Sequence, residues 1–218
     1  MYYRLHQSLD KKLLGVFPQT IFAQFGVPMD HPDNLFSHYA KKVADPDTVI
    51  VPQPVLEKNA KHTDLITNLY AAGRLIISDL LKKILDKTGS AGLQFFPTNL
   101  IDKSSTVPGY WIVTTFAYDY GAIDFSASRF SIHELGANRI SIEIANANEF
   151  LSIVNQTAYP KGISIDTLFF LPDLKADLLL LRYVYGGVGY FVSEKLKKEI
   201  EDAGCTGIVF TKPEERHP

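Results

Sequence analysis

The chain has a single cysteine, Cys205, among 218 residues. One thiol closes no intramolecular disulfide, so the sequence gives no support to an oxidising compartment. A net excess of either charge is also lacking. The formal net charge is −2 and the pI about 6.3. A nucleic-acid partner normally requires a basic surface, and this total does not favour one. Long apolar runs are missing as well. "MYYRLHQSLDKKLLGVF" lacks a signal-peptide core, and "DLLLLRYVY" is too short to span a bilayer. The expectation is a cytoplasmic protein with no membrane or nucleic-acid partner.

Motifs that carry chemistry are equally sparse. There is no HExxH or Cys/His pairing for zinc, no GxGxxG or P-loop for phosphate, and no GxSxG for a nucleophile. Cys205 in "AGCTG" falls at a helix C-terminus, where the dipole disfavours a thiolate, and reads as a small turn residue. "MDHPDN" gathers Asp30, His31 and Asp33, with His38 further on. Pro32 interrupts any helix that would align the two histidines, so the stretch reads as a turn with aspartate caps. His133-Glu134 is a lone acid–base pair, and "YGGVGYF" reads as a hairpin turn. Lys82-Lys83 and Lys197-Lys198 stand beside Asp86 and Glu201 at ion-pair spacing, as on a solvated helix face. No catalytic residue, metal or cofactor is assigned, and the chain is read as not an enzyme.

What is present is enough for a core: 46% of the residues are hydrophobic and 21% charged, as in ordinary globular proteins. Residues 1–70 are punctuated by Pro18, Pro28, Pro32, Pro46, Pro52 and Pro54, which predicts a loop-rich region packed on the rest. Within it "YYRL", "LLGVF" and "DTVIVP" read as strands, "NLFSHYAKKV" and "HTDLITNLYAA" as helices. Residues 71–218 read as an α+β domain with a largely antiparallel sheet, fed by β-branched and aromatic runs such as "YWIVTTFAYDY" and "RISIEIA".

One segment occurs twice. Ile76–Phe95 and Phe191–Phe210 align without a gap, with seven identities in twenty positions. These are Ser78/Ser193, Leu81/Leu196, Lys82/Lys197, Lys83/Lys198, Gly89/Gly204, Gly92/Gly207 and Phe95/Phe210. Each copy reads as strand, serine cap, helix with one apolar stripe, glycine stop, strand. A capped helix with a glycine stop explains some of these matches. It does not explain both glycines and the phenylalanine in step.

The second copy, "FVSEKLKKEIEDAGCTGIVF", resembles the C-terminal signature of a family of bacterial polymorphic-toxin immunity proteins, first catalogued as a domain of unknown function. That pattern has a hydrophobic strand, a serine, an acidic helix start, a leucine and a closing Gly-x-x-Gly-(hydrophobic)-x-Phe. Arg182 in "LLLLRYVY", and Asp124 with Ser128 in "IDFSAS", fit the family's upstream elements. The resemblance spans Leu75 to Phe210. It implies a protein that neutralises a cognate toxin domain and has no catalytic residues.

Three readings stand at this stage. The first is an immunity protein bound to its toxin. Its contact candidates are the acidic loop residues Asp30, Asp33, Asp45 and Asp47, together with Tyr118, Asp119 and Tyr120 in "YDYGAID". The second is a small-ligand or metal enzyme assembled from distant residues such as His31, Asp33 and His133. The third is a self-associating module, a homodimer.

Overall fold

A computed structural model describes residues 1–37, 45–70, 73–134 and 139–213. Contacts divide the chain into two compact units. One comprises Met1–Leu5, Tyr118–Lys195 and Phe210–Pro218; the other comprises His6–Ala117 and Leu196–Val209. The described elements begin with β1 (Tyr2–Gln7), α1 (Lys11–Leu14), β2 (Thr20–Gln24), β3 (Gln53–Leu56), β4 (Leu65–Ile66), β5 (Leu75–Ser78) and α2 (Asp79–Asp86). There follow β6 (Leu93–Asp102), β7 (Ser105–Thr115), a 3-10 turn (Tyr120–Ala122), β8 (Arg129–Glu134), β9 (Ile140–Ile142) and α3 (Ala147–Gln156). The last are β10 (Lys161–Thr167), β11 (Leu178–Val184), β12 (Gly187–Ser193), α4 (Glu194–Asp202) and β13 (Ile208–Thr211). The class is α+β, with two mixed, mostly antiparallel sheets. One sheet was expected from the sequence.

The unit containing His6–Ala117 is built on a six-stranded sheet, ordered β2-β3-β6-β7-β5-β4. Only the β3–β6 pair is parallel. Strand alternation sorts its side chains to two faces. Ile76, Phe96, Tyr110 and Ile112 join Leu35, Phe36, Leu56, Ile66 and Leu100 in one buried cluster. Trp111 faces the other way, toward α2: its indole donates to Asp79 Oδ1 at 2.5 Å, and the Lys82 ammonium sits 5.0 Å from the ring centre. Helix α2 buries Leu81, Ile84 and Leu85, the i, i+3, i+4 stripe its sequence predicts. Gln19 is fully buried and fully satisfied. Its amide donates to Lys61 O at 2.6 Å and Thr63 Oγ1 at 3.0 Å, and accepts from Thr67 N–H at 2.8 Å.

The other unit carries a seven-stranded sheet, ordered β13-β1-β12-β11-β10-β8-β9, in which β10 and β11 are parallel. Its core gathers Phe130, Phe150, Ile163, Leu179, Leu181 and Phe191. In β11 a bulge between Arg182 and Val184 holds Tyr183 at φ +69°, a left-handed conformation rare for a large residue. Tyr183 meets Tyr120 (6.5 Å between ring centres) and Phe150 (6.0 Å), contacts that hold the bulge in place.

The two similar sequence segments form β5–α2–β6 and β12–α4–β13. The Ser78 N–H donates to Asp64 O at 2.9 Å and its hydroxyl to Asp64 Oδ1 at 2.6 Å. Likewise the Ser193 N–H donates to Asp177 O at 2.8 Å and its hydroxyl to Asp177 Oδ1 at 2.8 Å. In α2 the same serine oxygen also accepts the Leu81 N–H at 3.2 Å, the N-cap bond. The closing glycines have separate roles. Gly204 ends α4 at φ +72°. Gly207, at φ +81°, lies so close to the 63–65 backbone that a Cβ would fall 2.3 Å from Leu65 O.

Several local expectations are corrected. "HTDLITNLYAA" is not a helix over its described residues. Asp64 is committed to Ser78 and Thr206, and Leu65–Ile66 pair with Ile76–Ile77 as β4. "LLGVF" is not a strand, because Asp10 accepts the Lys12 N–H at 2.8 Å and starts α1, which Gly15 closes. "DTVIVP" contributes only the isolated Asn34–Ile50 bridge, its start being taken up by a turn on Asp45. β7 stops at Thr115, short of the aromatic run's end. Of "NLFSHYAKKV", residues 38–43 lie outside the described residues; Asn34–Ser37 form a bridge and turn.

Asp64 also accepts from Thr206 N–H at 2.8 Å and Thr206 Oγ1 at 2.9 Å. Asp64→Ala leaves these donors and Ser78 without their acceptor. The expected loss is about 2–3 kcal/mol of unfolding free energy, read by urea denaturation at pH 7. A loss within a few tenths of wild type would contradict that role.

Candidate interaction surface

The acidic loop residues share one unit. Asp33 and the 45–50 segment are tied together: Ile50 N–H donates to Asp33 O at 2.6 Å, and Leu35 N–H to Ile50 O at 3.0 Å. Asp45 Oδ1 accepts the Asp47 N–H at 3.1 Å, an Asx turn. Asp30 follows Pro28 in the turn closed by His31 N–H to Pro28 O at 3.0 Å. Asp30, Asp33, Asp45 and Asp47 are all exposed. His31 Nδ1 accepts the Asp33 N–H at 3.2 Å, which fixes this turn.

Tyr118, Asp119 and Tyr120 belong to the other unit. Tyr120 is 7% exposed and packs on Phe150 with 4.9 Å between ring centres. It is a core residue, and burial together with Tyr183 and Tyr118 pushes its phenol pKa up. Tyr118 is half-buried, 5.9 Å from the Tyr120 ring. Asp119 imitates a strand partner. Its N–H donates to Leu180 O at 2.8 Å, and its Oδ2 accepts the Leu180 N–H at 2.7 Å. Burial raises the Asp119 carboxyl pKa, and the Leu180 bond opposes that shift.

The remaining singled-out residues are explained by local geometry. Asp124 Oδ1 accepts from Ser126 N–H, Ser126 Oγ and Ala127 N–H at 3.1, 2.6 and 3.2 Å, and these bonds lower its pKa. Ser128 Oγ accepts the Phe169 N–H at 3.0 Å. The Asp-x-x-x-Ser element is therefore a loop clamp. Arg182 lies with its guanidinium carbon 5.2 Å from the Tyr183 ring centre. His133 Nδ1 pairs with Ser164 Oγ at 3.3 Å across the sheet, and its ring fills the space over Gly162. His31 and Asp33 belong to one unit and His133 to the other. Among the described residues, no three His, Cys, Asp or Glu side chains are grouped to hold a metal; His38 lies outside them.

Three exposed features of the six-stranded unit carry no mark in the sequence. Strand β2 is an edge strand on which Ile21 and Phe22 are 52% and 56% exposed, with Leu69, at 67%, placed beside Thr20 by its N–H bond to Thr20 O. Trp111 is partly exposed between two shallow clefts, one running toward Phe95 and Gln94, the other toward Asn99 and Gly109. An open groove of about 560 Å³ lies between α2 and α4, bordered by Leu80, Ile84 and Ala203 and crossed by the Lys87–Glu199 ion pair at 3.0 Å. Side-chain periodicity marks strands and stripes but does not tell an edge from a centre, so no local signal separated these residues from core.

These are features of a scaffold with surfaces for contact. A family model described as "Immunity protein family (Imm11)" matches residues 19–215. No curated protein matches the chain. The class is that of immunity proteins, and the chain belongs to the Imm11 family. The match begins well before Leu75, so the proline-punctuated segment from residue 19 onward is part of the family's frame. Such families are generally non-enzymatic and imply a protein toxin as partner. No described helix is long and apolar enough to cross a membrane.

Cys205 supplies a chemical check. Burial and the nearby Asp64 carboxylate push its thiol up to about 11. A raised pKa depletes the thiolate at neutral pH. Alkylation by iodoacetamide at pH 8 is therefore expected to run roughly a hundredfold slower than for a free cysteine. A rate equal to that of free cysteine would contradict the packing around the 204–207 turn.

Proposed function

We propose that this chain neutralises a cognate bacterial toxin by binding it directly, protein to protein, without catalysis. The observation that carries the reading is Imm11 membership over residues 19–215. The physical features agree with it. Neutralisation by occlusion needs a stable frame and a complementary exposed surface, and no reacting constellation. The toxin class we infer is polymorphic, and the place of action the cytoplasm.

Asp30, Asp33, Asp45 and Asp47 are proposed to steer the encounter. Exposed rim charges raise association rate and fix orientation more than they add affinity. Asp119 and Tyr118 are the two members of the "YDY" stretch with surface to offer; Tyr120 supports them from the core. The net charge of −2 fits a local acidic rim rather than a uniform acidic field.

We also infer that Ile76–Phe95 and Phe191–Phe210 are copies of one unit. The matching Asp64–Ser78 and Asp177–Ser193 bond pairs support this, because the upstream aspartates lie outside the aligned twenty residues. A shared unit gives the fold two helix supports and leaves the loops free to vary toward one partner.

The test is co-production with candidate bacterial toxin domains. The expected result is cell survival, a one-to-one complex on purification, and an association rate that falls as salt rises. Undiminished toxicity with no complex would contradict the proposal.

A further inference from the structure

The open edge of β2 has a use that family membership does not assign. Strand β2 ends the six-stranded sheet and pairs only with β3 within it. On its outer side, among the described residues, Thr20 is held: its N–H donates to Thr67 O at 3.0 Å and its O accepts the Leu69 N–H at 3.3 Å. Ile21–Gln24 continue the strand past that contact. An edge strand presents unpaired N–H and C=O groups to any extended chain. Proteins ordinarily guard such edges with charge, proline or a bulge. "TIFAQ" has no charge and no proline. A bulge at Ile21 is the one guard present, and it leaves Phe22–Gln24 in register with β3. Ile21, Phe22 and Leu69, all more than half exposed, add an apolar patch to the same edge.

We infer that this edge is the docking site for the toxin, which adds an extended, uncharged, β-prone segment as the next strand. The inference rests on the proposed function, since Imm11 membership supplies the kind of partner. It adds where and how that partner binds. Main-chain bonds to residues 21–24 give the affinity, and the Ile21, Phe22 and Leu69 side chains select the incoming residues. An uncharged segment is specified because the patch offers no charge to pair with. A second copy is the less suitable occupant, because a β2–β2 pairing would withdraw the edge from the toxin.

The experiment compares the wild-type chain with Phe22→Lys, Ile21→Lys and Tyr159→Lys. The last is a control at a residue 85% exposed in the other unit. The probe is the inactivated form of the toxin domain that the co-production test selects, measured by titration calorimetry. Thermal melting and sedimentation of each variant alone accompany it. Expected is a loss of affinity of roughly tenfold or more for Phe22→Lys and Ile21→Lys, with unchanged melting temperature and a control that binds as wild type. Equal affinity in all four proteins would overturn the docking site and leave the proposed function standing. No binding by the wild-type chain would overturn both. Self-association of the wild type that Phe22→Lys dissolves, with toxin affinity kept, would assign the edge to a second copy and overturn the inference.

Discussion

The Asp64 carboxylate is the interaction on which the six-stranded unit depends. It receives the Ser78 hydroxyl at the start of α2 and both the N–H and hydroxyl of Thr206 in the turn after α4. One side chain thus joins its own segment to the start of α2 and to a turn most of the chain away. The close approach it enforces explains Gly207, where any Cβ would collide with Leu65 O and the Thr63 side chain. The buried amide of Gln19 continues the same stitching, through Thr63 on one side and Thr67 on the other. Polar groups this thoroughly satisfied favour one arrangement of backbone over its competitors.

The second unit repeats the device in weaker form. Asp177 takes the Ser193 hydroxyl and the Lys195 ammonium at 2.7 Å, bonds that hold its pKa below the usual carboxylate range. The sign follows from the direction. That contribution is in force above the ordinary aspartate pKa and fades as pH falls through the lowered one. Its partner Lys195 is exposed, so solvent screening keeps the contribution small.

The helices carrying Leu81, Ile84, Leu85, Leu196 and Ile200 were legible because 3.6-residue periodicity, a serine cap and a glycine stop agree at each. The α+β class was legible because β-branched and aromatic runs stand between those helices. The aspartates that anchor the caps were not. Asp64 sits in "HTDLITNLYAA", whose composition suits a helix, and only tertiary bonding to residues 78 and 206 makes it a strand start. The split into two sheets was hidden too, because pairing partners such as β1 and β12 are separated by most of the chain. Among the candidate residues, the turn placement of Asp30, Asp33, Asp45 and Asp47 could be read directly from the neighbouring prolines. Tyr120 could not be told from a surface tyrosine, since its burial comes from Phe150 and Tyr183. The β2 edge left no mark in sequence because an edge is defined by the strand that is missing beside it.

The Asp64 network staples the six-stranded unit, and β2 leaves that unit an edge guarded by the bulge at Ile21. Hydrogen exchange of the chain with and without a bound toxin domain tests most directly the proposal that a toxin docks on that edge. New protection of the amides in Ile21–Gln24 is expected, with slow exchange around Asp64, Ser78 and Thr206 unchanged by binding. Protection confined to other segments, or loosening of the Asp64 network on binding, would contradict it.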